Sequence, residues 1–142
     1  MTVRSPRTRT WIVVALALAA TATWSALAAA QTTYTWNKTA SASWQTGNNW
    51  SPTRNSPASN DILVINGATT PTAIITSMPM QTVGRLRIIN NAQVTLSTQT
   101  TGSTLTISSS TAPAFEMTSG TSLTVNDNKA LMIALSDRKS VV

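Results

Sequence analysis

VGRLRIINNAQVTLS (residues 83–97) holds two short runs in which apolar and polar residues alternate, split by the turn-forming triplet Asn90-Asn91-Ala92. Leu86 and Ile88 alternate with Arg85 and Arg87 before the turn, and Val94 and Leu96 alternate with Gln93 and Thr95 after it. A period of two puts successive side chains on opposite faces of a strand, so each run is a strand with one apolar and one polar face. The same pattern extends in both directions. DILVIN (61–66) and TAIIT (72–76) precede it, and STLTIS (103–108), AFEMT (114–118), SLTVN (122–126) and ALMIAL (130–135) follow. Clusters such as GATTP, TQTTG, SSTAP, TSG and DNK separate them, and their Gly, Pro, Asn and Asp residues are turn chemistry. No 3.6-residue periodicity runs through residues 32–135, and the Thr, Ser, Val and Ile content favours strands over helices.

A weak internal repeat accompanies the strands. Leu86-x-Ile88, Leu105-x-Ile107 and Leu123-x-Val125 recur at steps of 19 and 18, with a second apolar pair after each: Val94-x-Leu96, Phe115-x-Met117 and Leu131-x-Ile133. Two strands per period of about 18–20 residues is the signature of a solenoid. The expected fold is therefore all-β, a short right-handed parallel β-solenoid. An antiparallel β-sandwich is the alternative, but Asn66-Gly67 is the one tight hairpin signal in the sequence.

Upstream, YTWNKTASASWQTGNNWSP (34–52) gathers three of the five tryptophans. Residues 33–36 and 41–44 read as strands, and Asn49 to Pro52 as the start of a proline-bearing loop leading to Ile62. Two roles suit Trp36, Trp44 and Trp50. Buried, they would cap the open end of a stack of strands, because indole combines a large apolar area with one N–H donor. Exposed and coplanar, they would form a sugar-stacking platform, with Asn48 and Asn49 at hand for hydroxyls.

The first thirty residues read as an address. A basic MTVRSPRTRT is followed by the apolar run Trp11–Trp24 and then by small residues at Ala26, Ala28 and Ala30. That order describes a secretory signal peptide, with cleavage expected between Ala30 and Gln31 and a cut after Ala28 as the alternative. The uncleaved alternative is a membrane anchor. The expected organisation is a signal peptide over 1–30, a Trp-rich cap and loop over 31–60, and coils over 61–135. The coils are expected to be truncated, because the tail 136–142 (SDRKSVV) abandons the alternation and carries three charges in seven residues.

Composition narrows the chemistry. Histidine and cysteine are absent, which removes the common transition-metal ligands, disulfides and His-assisted nucleophiles. The net charge of +6 resides largely at the two ends; between them five basic residues face three acids, and no basic stripe is present, so no nucleic-acid partner is expected. Asp61 reads as a turn residue and Glu116 as an outward side chain between Phe115 and Met117. Asp127 lies in a turn whose spacing does not make a calcium loop. No catalytic residue, cofactor or metal site is expected. Asn37-Lys38-Thr39 and Asn49-Trp50-Ser51 match the glycosylation sequon.

Taken together, YTW (34–36), ASW (42–44), NNWSP (48–52) and SPASNDILVI (56–65) resemble the opening of secreted bacterial β-solenoid surface proteins, the autotransporter-associated β-strand-repeat and adhesin-like proteins. LRIINNAQVTL (86–96) resembles their repeat unit, and the resemblance spans about residues 33–135. It departs from their pattern between Trp36 and Trp44, where NKTASAS replaces a glycine-rich linker. The resemblance implies an exported, non-catalytic structural or adhesive segment at the cell surface or in the medium. Its partners would be a surface polysaccharide or a host or neighbouring cell surface, with membrane contact only through the signal peptide. The alternative function is a carbohydrate-binding module at the front of a larger polysaccharide-acting protein.

Overall fold

The computed structural model describes residues 30–109, 111, 113–126 and 129–136. Among them the chain is all-β, with a single 3-10 turn at Gly47–Asn49. Twelve strands run in chain order: β1 (Thr33–Trp36), β2 (Ala42–Ser43), β3 (Trp50–Ser51), β4 (Ile62–Asn66), β5 (Thr72–Met78), β6 (Gln81–Val83), β7 (Arg85–Ile89), β8 (Gln93–Thr98), β9 (Thr104–Ile107), β10 (Phe115–Met117), β11 (Ser122–Val125) and β12 (Met132–Leu135).

They form three sheets, ordered β10-β7-β4-β1-β3, β11-β8-β5-β2 and β12-β9-β6. From β4 onward each strand pairs in parallel with the strand three further along. The chain thus visits the three sheets in turn, in circuits β4-β5-β6, β7-β8-β9 and β10-β11-β12. β1 and β2 pair in parallel with β4 and β5 and so belong to a preceding circuit. The antiparallel pairing of β1 with β3 is the one exception among the described residues. This is not the hairpin pairing of a sandwich.

Register carries the apolar alternation from circuit to circuit. Leu63, Leu86 and Phe115 lie side by side in the first sheet, as do Ile65, Ile88 and Met117. Ala73, Val94 and Leu123 align in the second, with Ile75, Leu96 and Val125 beside them. Leu105 and Ile133, then Val83, Ile107 and Leu135, align in the third. The buried members from all three sheets pack into one apolar cluster. Each is in contact with its counterpart in the next circuit, which is how parallel strands too short to be stable alone gain a shared core.

The repeat inferred from sequence has to be corrected. Leu86, Leu105 and Leu123 lie in the first, third and second sheets respectively, so steps of 18 and 19 join neighbouring faces and not stacked positions. A full circuit holds three strands. Stacked residues are 21 positions apart from Ala73 to Val94, 29 from Leu86 to Phe115 and 33 from Ala42 to Ile75. The run VGRLRII is likewise two strands. Gly84 separates β6 from β7 and lets Val83 point inward from the third sheet while Leu86 points inward from the first. A side chain there has no room, because a Cβ on Gly84 would come within 2.6 Å of the Asn60 carbonyl oxygen.

The corner between first and second sheets explains the Asn-Asn pair. Asn90 and Asn91 both adopt positive φ, 56° and 61°, a conformation that asparagine tolerates better than most residues. They turn the chain from β7 into β8. Asn90 donates its side-chain amide to Asn66 Oδ1, one circuit back, at 2.9 Å, and its backbone N–H to Thr118 Oγ1, one circuit on, at 3.1 Å.

Candidate functional site

The most elaborate side-chain constellation lies at the N-terminal end. Trp36 ends β1 and Trp50 begins β3, and their pairing sets the two rings edge to face, centroids 5.0 Å apart and planes at 79°. Trp44 follows β2 and meets Trp50 in the same way, at 5.1 Å and 83°. Such T-shaped contacts suit the ring quadrupole. All three side chains are buried, at 0–1% exposure. Each indole N–H is satisfied: Trp36 donates to Lys38 O, Trp44 to Gln81 Oε1 and Trp50 to Trp44 O, at 2.8, 2.7 and 3.0 Å. A pyranose stacks on an open ring face. Here the rings are interior and nearly perpendicular, so the platform expectation for Trp36, Trp44 and Trp50 meets no exposed face.

An ion pair locks this end. Arg54 and Asp61 are 3% and 2% exposed, and Arg54 Nε and Nη2 both lie 2.8 Å from Asp61 Oδ2. The same oxygen accepts the Ala58 N–H at 2.9 Å, the turn role expected of Asp61. The guanidinium carbon also sits 5.7 Å from the Tyr34 ring centroid and 5.8 Å from that of Trp50, within cation–π range. The Asp61 backbone carbonyl receives the N–H groups of Gly84 and Arg85 in the next circuit. One short stretch therefore joins the proline loop, the tryptophans and the following circuit of strands.

Sequence reasoning missed Arg54. The available signal was charge: in a chain that is 10% charged, Arg54 and Asp61 fall seven residues apart in one loop. Trp50–Ser51, which the sequence reads as the start of a loop, form a strand that covers the edge of β1. Of the two sequons, Asn37 is exposed, whereas Asn49 is buried and donates its side-chain amide to Ser43 O at 2.7 Å.

The other end is built differently. Phe115, Leu123, Leu131 and Ile133 are only half-buried against the core. Met117, Val125, Met132 and Leu135 are 40%, 42%, 58% and 59% exposed, four of the six large exposed apolar side chains among the described residues. Glu116, between Phe115 and Met117, points outward as expected and receives Arg87 Nε at 2.6 Å, with Arg85 Nη2 at 3.9 Å. The hydrogen bond from Arg87 holds the Glu116 carboxyl below the usual carboxylate range and raises the Arg87 guanidinium above its own.

An open groove of about 630 Å³ lies at the asparagine corner, bordered by Gly67, Pro71, Asn91 and Ser119. It holds neither a charged nor an aromatic side chain. Among the described residues no cluster of acids could hold a metal ion, and no helix is long and apolar enough to cross a membrane. Asp61 and Glu116 are each tied to arginine. The apolar run Trp11–Trp24, Asp127 and the tail beyond Ser136 lie outside the described residues; Ala30 and Gln31 lie within them and are exposed. Comparison with known proteins gives no matching family model, no similar curated protein and no similar solved structure.

Proposed function

We propose that the chain is an exported, non-catalytic structural or adhesive segment of a bacterial cell-surface or secreted β-solenoid protein. In this reading residues 31–60 form the cap and the circuits beyond it form a right-handed parallel solenoid. The observation that carries the reading is the pairing of each strand from β4 onward with the one three further along, with inward Leu, Ile and Val in register. A repeating stack of this kind supplies length and a polar, Ser/Thr-rich outer surface without needing any reactive group. The basic, apolar and small-residue order of residues 1–30 supports delivery across a membrane.

Export is tested by expressing the full chain in a bacterial host and determining the N-terminus of the product by mass spectrometry. A mature chain beginning at Gln31 outside the cytoplasm is expected. An intact chain from Met1 retained in the cytoplasm would overturn the reading. The carbohydrate-binding alternative is tested by pull-down on insoluble polysaccharides with the wild-type chain, where no retention is expected.

A further inference from the structure

We infer that Asn66-Gly67 is a gated site of backbone modification. The pair is set to close into a cyclic imide that water then opens, and the folded corner between the first and second sheets withholds the nucleophile. The inference is independent of export and of any partner. Asn66 ends β4, and Gly67 begins the turn toward β5. The dipeptide that reads as a hairpin signal in sequence therefore carries the chain from one sheet to the next.

An asparagine followed by glycine is open to this reaction because no Cβ shields the glycine nitrogen. The Gly67 nitrogen attacks the Asn66 side-chain carbonyl carbon, and a C–N bond forms. The side-chain amide leaves as ammonia, taking up the Gly67 proton. Water then opens the ring to aspartate, or to isoaspartate when the chain continues through the side-chain carbonyl. The electrophile is already polarised: Asn66 Oδ1 accepts the Ala68 N–H at 3.0 Å and the Asn90 side-chain amide at 2.9 Å. The nucleophile is withheld. Gly67 N–H donates to Ile89 O at 2.9 Å, and the N–H groups of Thr69 and Thr70 hold the Asn66 backbone carbonyl at 3.1 and 2.8 Å. Gly67 is buried beneath the asparagine corner of the next circuit. A Cβ there would overlap the Asn90 carbonyl oxygen and come within 2.5 Å of the Ala92 nitrogen. Turning the Gly67 nitrogen toward its own neighbour's side chain requires β4 and β7 to part where Asn66 pairs with Ile89. Isoaspartate adds a backbone atom at that point, so a corner that has reacted does not regain its original turn, and the opening is recorded.

The test is peptide mapping by mass spectrometry on the full chain held at mildly alkaline pH. It reads deamidation at Asn66 and, as a reference outside the gate, at the exposed Asn55-Ser56. Asn66 should react in the folded chain at least roughly tenfold more slowly than in urea beyond the unfolding transition, because the reaction waits on local opening. Ile88→Val trims a fully buried side chain that packs beside Ile65 next to the corner. It should raise the folded-state rate at Asn66 several-fold and leave the rate at Asn55 unchanged. A folded-state rate at Asn66 that comes within roughly tenfold of the rate in urea would overturn the inference, since the fold would then not gate the site. An Ile88→Val rate equal to that of wild type would overturn it as well, because parting of β4 and β7 would not control the reaction.

Discussion

The two ends of the stack solve the same problem in opposite ways. Any stack of parallel circuits leaves a terminal layer of apolar side chains and a row of unpaired backbone groups at each end. At the N-terminal end three buried indoles fill the layer, β3 covers one edge, and the Arg54–Asp61 pair ties the loop down. At the C-terminal end the ladders stop on half-buried or exposed Phe, Leu, Met and Val, and the carboxylate there pairs with arginine on the outer surface. A closed end uses large rings with satisfied N–H groups. Among the described residues the other end keeps the alternation of the interior, with its last apolar side chains half-buried or exposed.

The largest break in this comparison should come from Trp50→Ala. It removes the ring that contacts both other indoles and should lower stability by about 3–5 kcal/mol, read from urea unfolding. If the loss is under about 1 kcal/mol, the rings are not what holds the closed end. Asp61→Ala should cost about 3 kcal/mol, because Arg54 would stay buried without its partner. Asp61→Ala combined with Arg54→Met should recover part of that loss. Leu123→Ala, at the C-terminal end, should cost only about 1 kcal/mol, since the side chain is half-buried to begin with. A cost equal to that of Trp50→Ala would mean that the end is covered in solution.

Glu116→Gln should produce the smallest effect, and one that salt diminishes, because the pair with Arg87 is partly exposed. Its sign with pH is definite. The folded-state carboxyl is lowered, so its contribution is complete above the ordinary carboxylate range. It disappears as pH falls through the lowered value. Wild type and Glu116→Gln should therefore converge in stability in acid; a gap that widens in acid would exclude this pair as its source.

Much of the strand layout was legible because alternation is a local property. Leu86 and Ile88, or Val94 and Leu96, advertise an inward face with no knowledge of their neighbours, and Glu116 between Phe115 and Met117 advertises an outward one. The repeat length was not legible. Leu-x-Ile and Leu-x-Val pairs are nearly interchangeable, so a spacing of 18 or 19 between Leu86, Leu105 and Leu123 looked like stacking when it joins different faces. VGRLRII hid a corner for the same reason: Gly84 changes the direction of the chain without interrupting the apolar pattern. The tryptophans were visible as a cluster, but their exposure was not, since a buried T-shaped trio and an open platform can use the same three residues.

By itself the sequence determined that the stretch from Thr32 onward is all-β, as its described residues are, which positions face the core, and that His and Cys chemistry has no place in the chain. Those properties follow from period-two alternation and from composition, which need no partner to be read. Only the tertiary structure decided which strand lies on which, with intervals from 20 to 33 residues. It also decided that Arg54 meets Asp61 under the rings, and that the tryptophans are buried while Met117, Val125 and Leu135 are exposed. Pairing among similar strands depends on how the turns let three sheets meet around one core, and that condition involves the whole chain at once.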